Sequence, residues 1–306
     1  MASALSAPHF HDEEAAYAYV EARIWRNGPV CPHCGGVDRI SKMQGKSTRI
    51  GTYKCYQCRK PFTVKIGTIF EASHVPMNIW LQAMYLIAGS KKGISSNQLH
   101  RTLGVTLKTA WFMSQRIREA MASGSDRIMG GNGGPVEADE TFIGNKKDAQ
   151  FGGSYYHKMK VFSLVERRTG VARSFVIDKV NATEIGPIIA RNVSTETRLM
   201  TDEASHYKTI GRDFLTHEVV NHTAGQYVRG EGHTNAIEGF FSIFKRGMRG
   251  IYQHCSEKHL HRYLAEFDFR YTNRAACGVN DKDRADIALA GIVGKRLTYR
   301  RTNAGA

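Results

Sequence analysis

The chain has 306 residues, enough for two domains with at least one sizeable core. Its 42% hydrophobic and 23% charged content suits a soluble globular protein, and its most apolar stretches, IWLQAMYLIAG and IALAGIVG, fall short of the roughly 20 residues of a membrane span. The net charge of +15 and a pI of about 9.6 favour a polyanionic partner, because Lys and Arg neutralise phosphates and release counterions.

Residues 1–27 read as an N-terminal helix capped by Asp12. Acids stand where a signal peptide carries positive charge, so export is not expected. A cytoplasmic chain keeps its cysteines reduced and available to metal. Residues 28–70 hold CPHC and CYQC, which place Cys31, Cys34, Cys55 and Cys58 as C-x2-C-x20-C-x2-C. Each pair closes a tight turn on one ion, and two turns complete a tetrahedral thiolate site for structural Zn²⁺. The Gly-containing turns and short hairpins between them follow the zinc-ribbon pattern. So small a module has little core without its metal. Cys255 and Cys277 lack partners at ligand spacing.

Residues 71–128 show helical periodicity. VPMNIWLQAMYLIAG is one helix. ISSNQLHRTLGVTLKTAWFMSQRIREAM parses as a helix from Ser95, a turn at Leu103-Gly104-Val105 and a second helix from Thr106, which is helix-turn-helix form. That second helix would offer Lys108, Thr109 and Gln115 or Arg116 to a major groove. A plain helical bundle with aromatic core residues is the competing reading.

MGGNGGP supplies a Gly-rich linker or turn over residues 129–135. Residues 136–275 then alternate strands and helices. VEADETFIG, KMKVFSLVE and VARSFVIDKV are strands, the last two joined by a hairpin at RRTG. NATEIGPIIARNV is a helix capped by Asn181, and TRLMTDE and THEVVNH are further short strands. From Thr234 the chain is mostly helical, and residues 276–306 are expected to form a C-terminal tail.

Three acids stand out. Asp139 lies in the first of these strands, Asp202 ends TRLMTDE, and Glu238 opens the helix in HTNAIEGFFSIFKRG. Gathered at one end of a sheet they would repel one another unless divalent cations compensated. Two such ions can activate an attacking oxygen and stabilise a leaving one. Lys245 lies seven residues after Glu238, about two helical turns, and so shares its face. The plainer reading makes Asn235 or Thr234 an N-cap, with Asn235-x-x-Glu238 at capping-box spacing.

The chain resembles bacterial insertion-sequence transposases with an N-terminal zinc ribbon and an RNase H-like DDE core, the ISXO-like group. The resemblance rests on the order of GPVCPHCGG, YKCYQCRKPFTVKIGTIF, VEADETFIGNKK, TDEASHY, HTNAIEGFFSIFKRGMRGIY and HLHRYLAEFDFRYTNR. It implies a multidomain fold: a zinc ribbon, an all-α helix-turn-helix region, and an α/β RNase H-like core with a mixed five-stranded sheet. It implies Asp139, Asp202 and Glu238 as ligands of Mg²⁺ or Mn²⁺, and Lys245 as a contact to substrate DNA. Asn235 is the alternative third ligand. Glu140, next to Asp139, points to the opposite sheet face. Arg246 and Arg249 are expected to grip phosphates. The implied activity is binding of terminal inverted repeats, then metal-dependent strand cleavage and strand transfer by a dimer or larger assembly on double-stranded DNA of the nucleoid. The competing functions are a non-catalytic DNA-binding regulator and a structure-selective nuclease.

Overall fold

The computed structural model describes residues 3–122, 127–146, 155–220 and 233–298, and the chain divides into two compact units. The first unit begins with α1 (Glu13–Ile24), where the Asp12 carboxylate accepts the Ala15 N–H at 2.7 Å, the expected cap. Strands β1 (Ile40–Lys42), β2 (Tyr53–Cys55) and β3 (Pro61–Phe62) form an antiparallel ribbon. The N-terminal helix is not separate from it. The Tyr53 hydroxyl donates to Glu21 of α1 at 2.8 Å, and Trp25 meets the Tyr53 ring edge-on at 5.2 Å.

Three helices follow: α2 (Met77–Gly89), α3 (Ser96–Leu103) and α4 (Leu107–Met121). The Ser95 hydroxyl caps α3 by accepting the Gln98 N–H, and Gly104 ends it in the left-handed conformation at φ +66°. The Thr106 hydroxyl accepts the Thr109 N–H and starts α4. The expected helix–turn–helix boundaries therefore rest on ordinary capping chemistry.

The second unit is built on β4 (Pro135–Asn145), β5 (Lys158–Glu166) and β6 (Ala172–Ile177), followed by α5 (Ala182–Asn192), β7 (Arg198–Asp202), α6 (Tyr207–Ile210), β8 (Thr216–Val220), α7 (Asn235–Gly247) and α8 (Glu257–Thr272). The sheet order is β6-β5-β4-β7-β8, with β4, β5 and β6 antiparallel and β4, β7 and β8 parallel. This is the mixed five-stranded RNase H-like sheet. Even-numbered β4 residues Val136 and Ala138 pack with Ile185, Ile189 and Tyr207 of α5 and α6. Ile143, of odd number, packs with Phe240, Phe244 and Phe267 of α7 and α8. The two-residue period of a strand thus divides β4 between two helical layers. The Gly-rich segment before β4 is a built turn rather than a loose linker: Met129 is buried, pairs with Val193, and the Gly130 N–H donates to Glu166 at 2.8 Å.

The expectation of a C-terminal tail is corrected by α9 (Asp281–Ala290), which belongs to the first unit. Arg23 of α1 grips Asp286 through both carboxylate oxygens, at 2.7 and 2.9 Å. Arg284 donates to the Ala88 carbonyl of α2 at 3.1 Å. No helix among the described residues is long and apolar enough to cross a membrane.

Candidate active site and zinc centre

Two turns bring the cysteines together. The Cys31 N–H donates to the Gly36 carbonyl and the Gly35 N–H to the Cys31 carbonyl, each at 2.9 Å, with Gly35 at φ +73°. All four sulfurs lie within 4.8 Å of one another. The Cys31–Cys58 and Cys34–Cys55 separations are 3.6 and 3.8 Å. Tetrahedral Zn–S bonds of about 2.3 Å place sulfurs ~3.8 Å apart, close to both of these separations. The Cys58 amide, then that of Gln57, pulls the Cys55 thiol down to about 7 against its burial. At Cys34 the Gly36 amide is outweighed by desolvation and the other three thiols, which push it up to about 12. The sulfurs compete for protons that a cation would replace.

The acidic site begins on β4. Glu137, Asp139 and Ile143 lie on the α7 side of this strand, and Glu140 lies on the other. Parallel pairing sets Glu137 opposite Met200 on β7. That register runs only from Pro135 to Glu137 on β4, and Asp139 and Asp202 each lie two residues beyond its last pair. Glu238 reaches the same region from the first turn of α7. Burial raises the Asp139 carboxyl to about 8, and the charges of Glu140, Asp202 and Glu238 add to the effect, opposed by the Glu140 amide. The site's three acids are thus within electrostatic reach of one another. They are not packed as tightly as the thiols: among the described residues only the cysteines place three or more ligand atoms within 4.8 Å. Repulsion keeps carboxylates apart until positive charge compensates.

The capping-box reading of α7 is corrected. Its cap is Thr234, so Asn235 is the first helical residue and Glu238 lies one position beyond the box. The Thr234 hydroxyl donates to Glu238 at 2.8 Å. Phe240, Phe241 and Phe244 are buried, while Asn235, Glu238 and Arg246 are exposed and Lys245 is half-buried. Glu238 at the N-terminus and Lys245 with Arg246 at the C-terminus also suit the helix dipole. Arg249 follows in a π-helical turn over Met248–Tyr252 and lines a cavity of about 450 Å³ with Asn145, Gln253 and His254.

Models of two protein families match the chain: a transposase zinc-ribbon domain over residues 11–61 and an ISXO2-like transposase domain over residues 132–272. The chain carries a transposase zinc ribbon and an ISXO2-like transposase domain. It is also 28% identical over 265 residues to a protein described as uncharacterized in transposable element ISH50 of Halobacterium salinarum, across 80% of this chain and 86% of that relative. The zinc-ribbon match contains all four cysteines, and the transposase-domain match contains Asp139, Asp202, Glu238 and Lys245.

In the transposase's helix-turn-helix region, Lys108 is exposed and Thr109 half-buried near the start of α4. Arg116 requires a correction. It is 5% exposed and donates to the carbonyls of Ile69, Glu71 and Leu297 at 2.8, 2.9 and 3.1 Å. The segment read as a tail returns to this guanidinium through Leu297, so Arg116 is buried and held by three carbonyls as a structural residue.

Sequence reasoning passed over four side chains around the acids: Glu137, Arg167, His206 and His233. Arg167 bonds Glu137 and His233, and His206 donates to Glu140 at 3.0 Å. The available signal was VEADE itself, since alternation puts Glu137 on the same face as Asp139.

Proposed function

We propose that this transposase binds the terminal inverted repeats of an insertion sequence, cuts the DNA there and joins the freed ends to a target. The observation that carries the reading is the raised Asp139 carboxyl, which feels Asp202 and Glu238 from two other elements. A buried carboxyl among acids is the donor set that Mg²⁺ or Mn²⁺ takes, and Asp139, Asp202 and Glu238 would hold it. A cation bound there supplies charge to activate the attacking oxygen and to stabilise the leaving one.

The chain's own residues do the rest. Asp139 and Asp202 stand on neighbouring strands, each two residues past the last pair, Glu137 with Met200. Glu238 enters from an exposed helical face, so substrate can approach from that side. Asn235, also exposed in the first turn, is the alternative third ligand. Lys245, along the same face, contacts the phosphate backbone, and Arg246 and Arg249 extend the grip. The zinc ribbon and α3–α4 recognise the end sequences, with Lys108 and Thr109 at the start of α4. Two ends must be joined in concert, so the working form is a dimer or larger assembly on DNA.

The test is a cleavage and strand-transfer assay on DNA carrying the element's ends, with zinc-loaded protein and Mg²⁺. Asp202→Ala should abolish both products while leaving end binding and folding intact. Strand transfer retained in that variant would refute the site. Cleavage without joining in the wild type would make the chain a nuclease, and binding without cleavage a regulator.

A further inference from the structure

Strand β4 carries three acids in four positions, and the proposed reaction uses only Asp139. The other two are buried as well: the Glu137 side chain is 0% exposed and that of Glu140 is 7% exposed. Burying a carboxylate is costly unless it is closely paired. The pairing partners show what the burial achieves.

Glu137 faces α7. Its Oε2 accepts the N–H of Ile237 at 2.8 Å, one residue before Glu238. This amide belongs to the first turn, where helical N–H groups lack partners within the helix. Its Oε1 accepts from Arg167 Nε and lies 3.6 Å from His233 Nδ1. Arg167 in turn donates to the His233 carbonyl and lies 2.9 Å from His233 Nδ1. Glu137 and Arg167 together therefore hold both the approach to α7 and its first turn against β4.

Glu140 faces the opposite layer. Its Oε1 accepts from Tyr207 Oη at 2.5 Å and from His206 Nε2 at 3.0 Å. Tyr207 is fully buried. These two residues close the segment that leaves β7 directly after Asp202, and the Asp202 carboxylate accepts the Ala204 N–H within it at 3.1 Å.

We propose that Glu137 and Glu140 are positioning residues: each clamps to β4 one of the two segments that bear the other site acids, Glu137 the helix of Glu238 and Glu140 the turn after Asp202. The strand that presents Asp139 is thereby the template for the whole acid set. The inference rests on the proposed divalent-metal function of those acids. Outer partners that orient ligands without touching the ion control affinity strongly.

The experiment uses the full-length, zinc-loaded chain. Glu137→Gln and Glu140→Gln preserve shape, and Ile189→Ala, which removes no hydrogen-bond partner of either glutamate, serves as a variant weakened in packing alone. The Mg²⁺ concentration for half-maximal cleavage should rise about ten- to a hundredfold in each Gln variant. Mn²⁺ binding followed by electron paramagnetic resonance should weaken in parallel, and Ile189→Ala should leave both midpoints at the wild-type value. Wild-type midpoints in both Gln variants would overturn the proposal. If the wild type neither binds Mn²⁺ nor cleaves, the functional reading fails and the clamp is judged by amide exchange. Glu137→Ala should then speed exchange across residues 233–247, and unchanged exchange there would overturn it.

Discussion

The cysteine cluster and the acidic site both gather side chains able to hold a cation, but they are assembled by opposite means. The four cysteines come as two pairs, each closed by a local turn, and their sulfurs reach ion-binding distance in the ribbon itself. The three acids come from β4, β7 and α7, separated by long stretches of chain, and stay within electrostatic range without close packing. Local turns tolerate distant changes in the chain. A site drawn from three elements depends on every contact that fixes those elements.

The sharpest break in this comparison is Cys55→Ser. It should abolish stoichiometric zinc binding and unfold the ribbon, because the ribbon has little core apart from its cysteine cluster. Metal analysis and proteolysis within residues 28–70 would record it, and protection of the five-stranded sheet should persist. Phe244→Ala is the corresponding blow to the acidic site. It removes a fully buried ring that packs edge-on to Phe267 at 5.2 Å, and should cost about 3–5 kcal/mol in denaturant unfolding. The zinc content should not change.

A smaller effect separates Lys108 from Arg116. Lys108→Ala should weaken DNA binding and flatten the salt dependence by about one unit of log–log slope. Arg116→Ala should instead lower stability, since it strands three carbonyl contacts. Binding isotherms across a salt series, beside thermal melts, distinguish the two.

The last predicted effect is a pH dependence. The Asp139 carboxyl lies at about 8 against an ordinary 3.8, so the folded chain holds this proton more tightly than the unfolded chain. Its stabilising contribution is full below the unfolded value and is lost as pH rises through about 8. In buffer without Mg²⁺, Asp139→Asn should therefore melt above the wild type at pH ~8 and match it near pH ~4. Equal melting at both ends would remove the crowding of acids that the site depends on.

Much of this architecture was legible because its signals are local. Cysteine spacing marks the ribbon, Asp12, Ser95 and Asn181 sit where helices begin, and strand alternation separates Asp139 from Glu140. The misreadings share one cause. Arg116 looks available in sequence because the segment that buries it lies 181 positions away, at Leu297. The spacing from Asn235 to Glu238 imitates a capping box, yet the helix starts one residue earlier than the motif requires. Glu137 reads as an ordinary strand acid until α7 is seen to rest its Ile237 amide on it.

The sequence by itself determined the metal-binding ribbon, the order of helices and strands, and which acids were candidates, since turns, caps and periodicity act over a few residues. Tertiary structure alone decided that Asp139 and Asp202 lie on adjacent parallel strands. It also decided that Glu137 and Glu140 face opposite layers to hold their neighbours, and that the C-terminal segment closes the first unit. Those outcomes depend on which distant surfaces pack together, and no short stretch of chain carries that information.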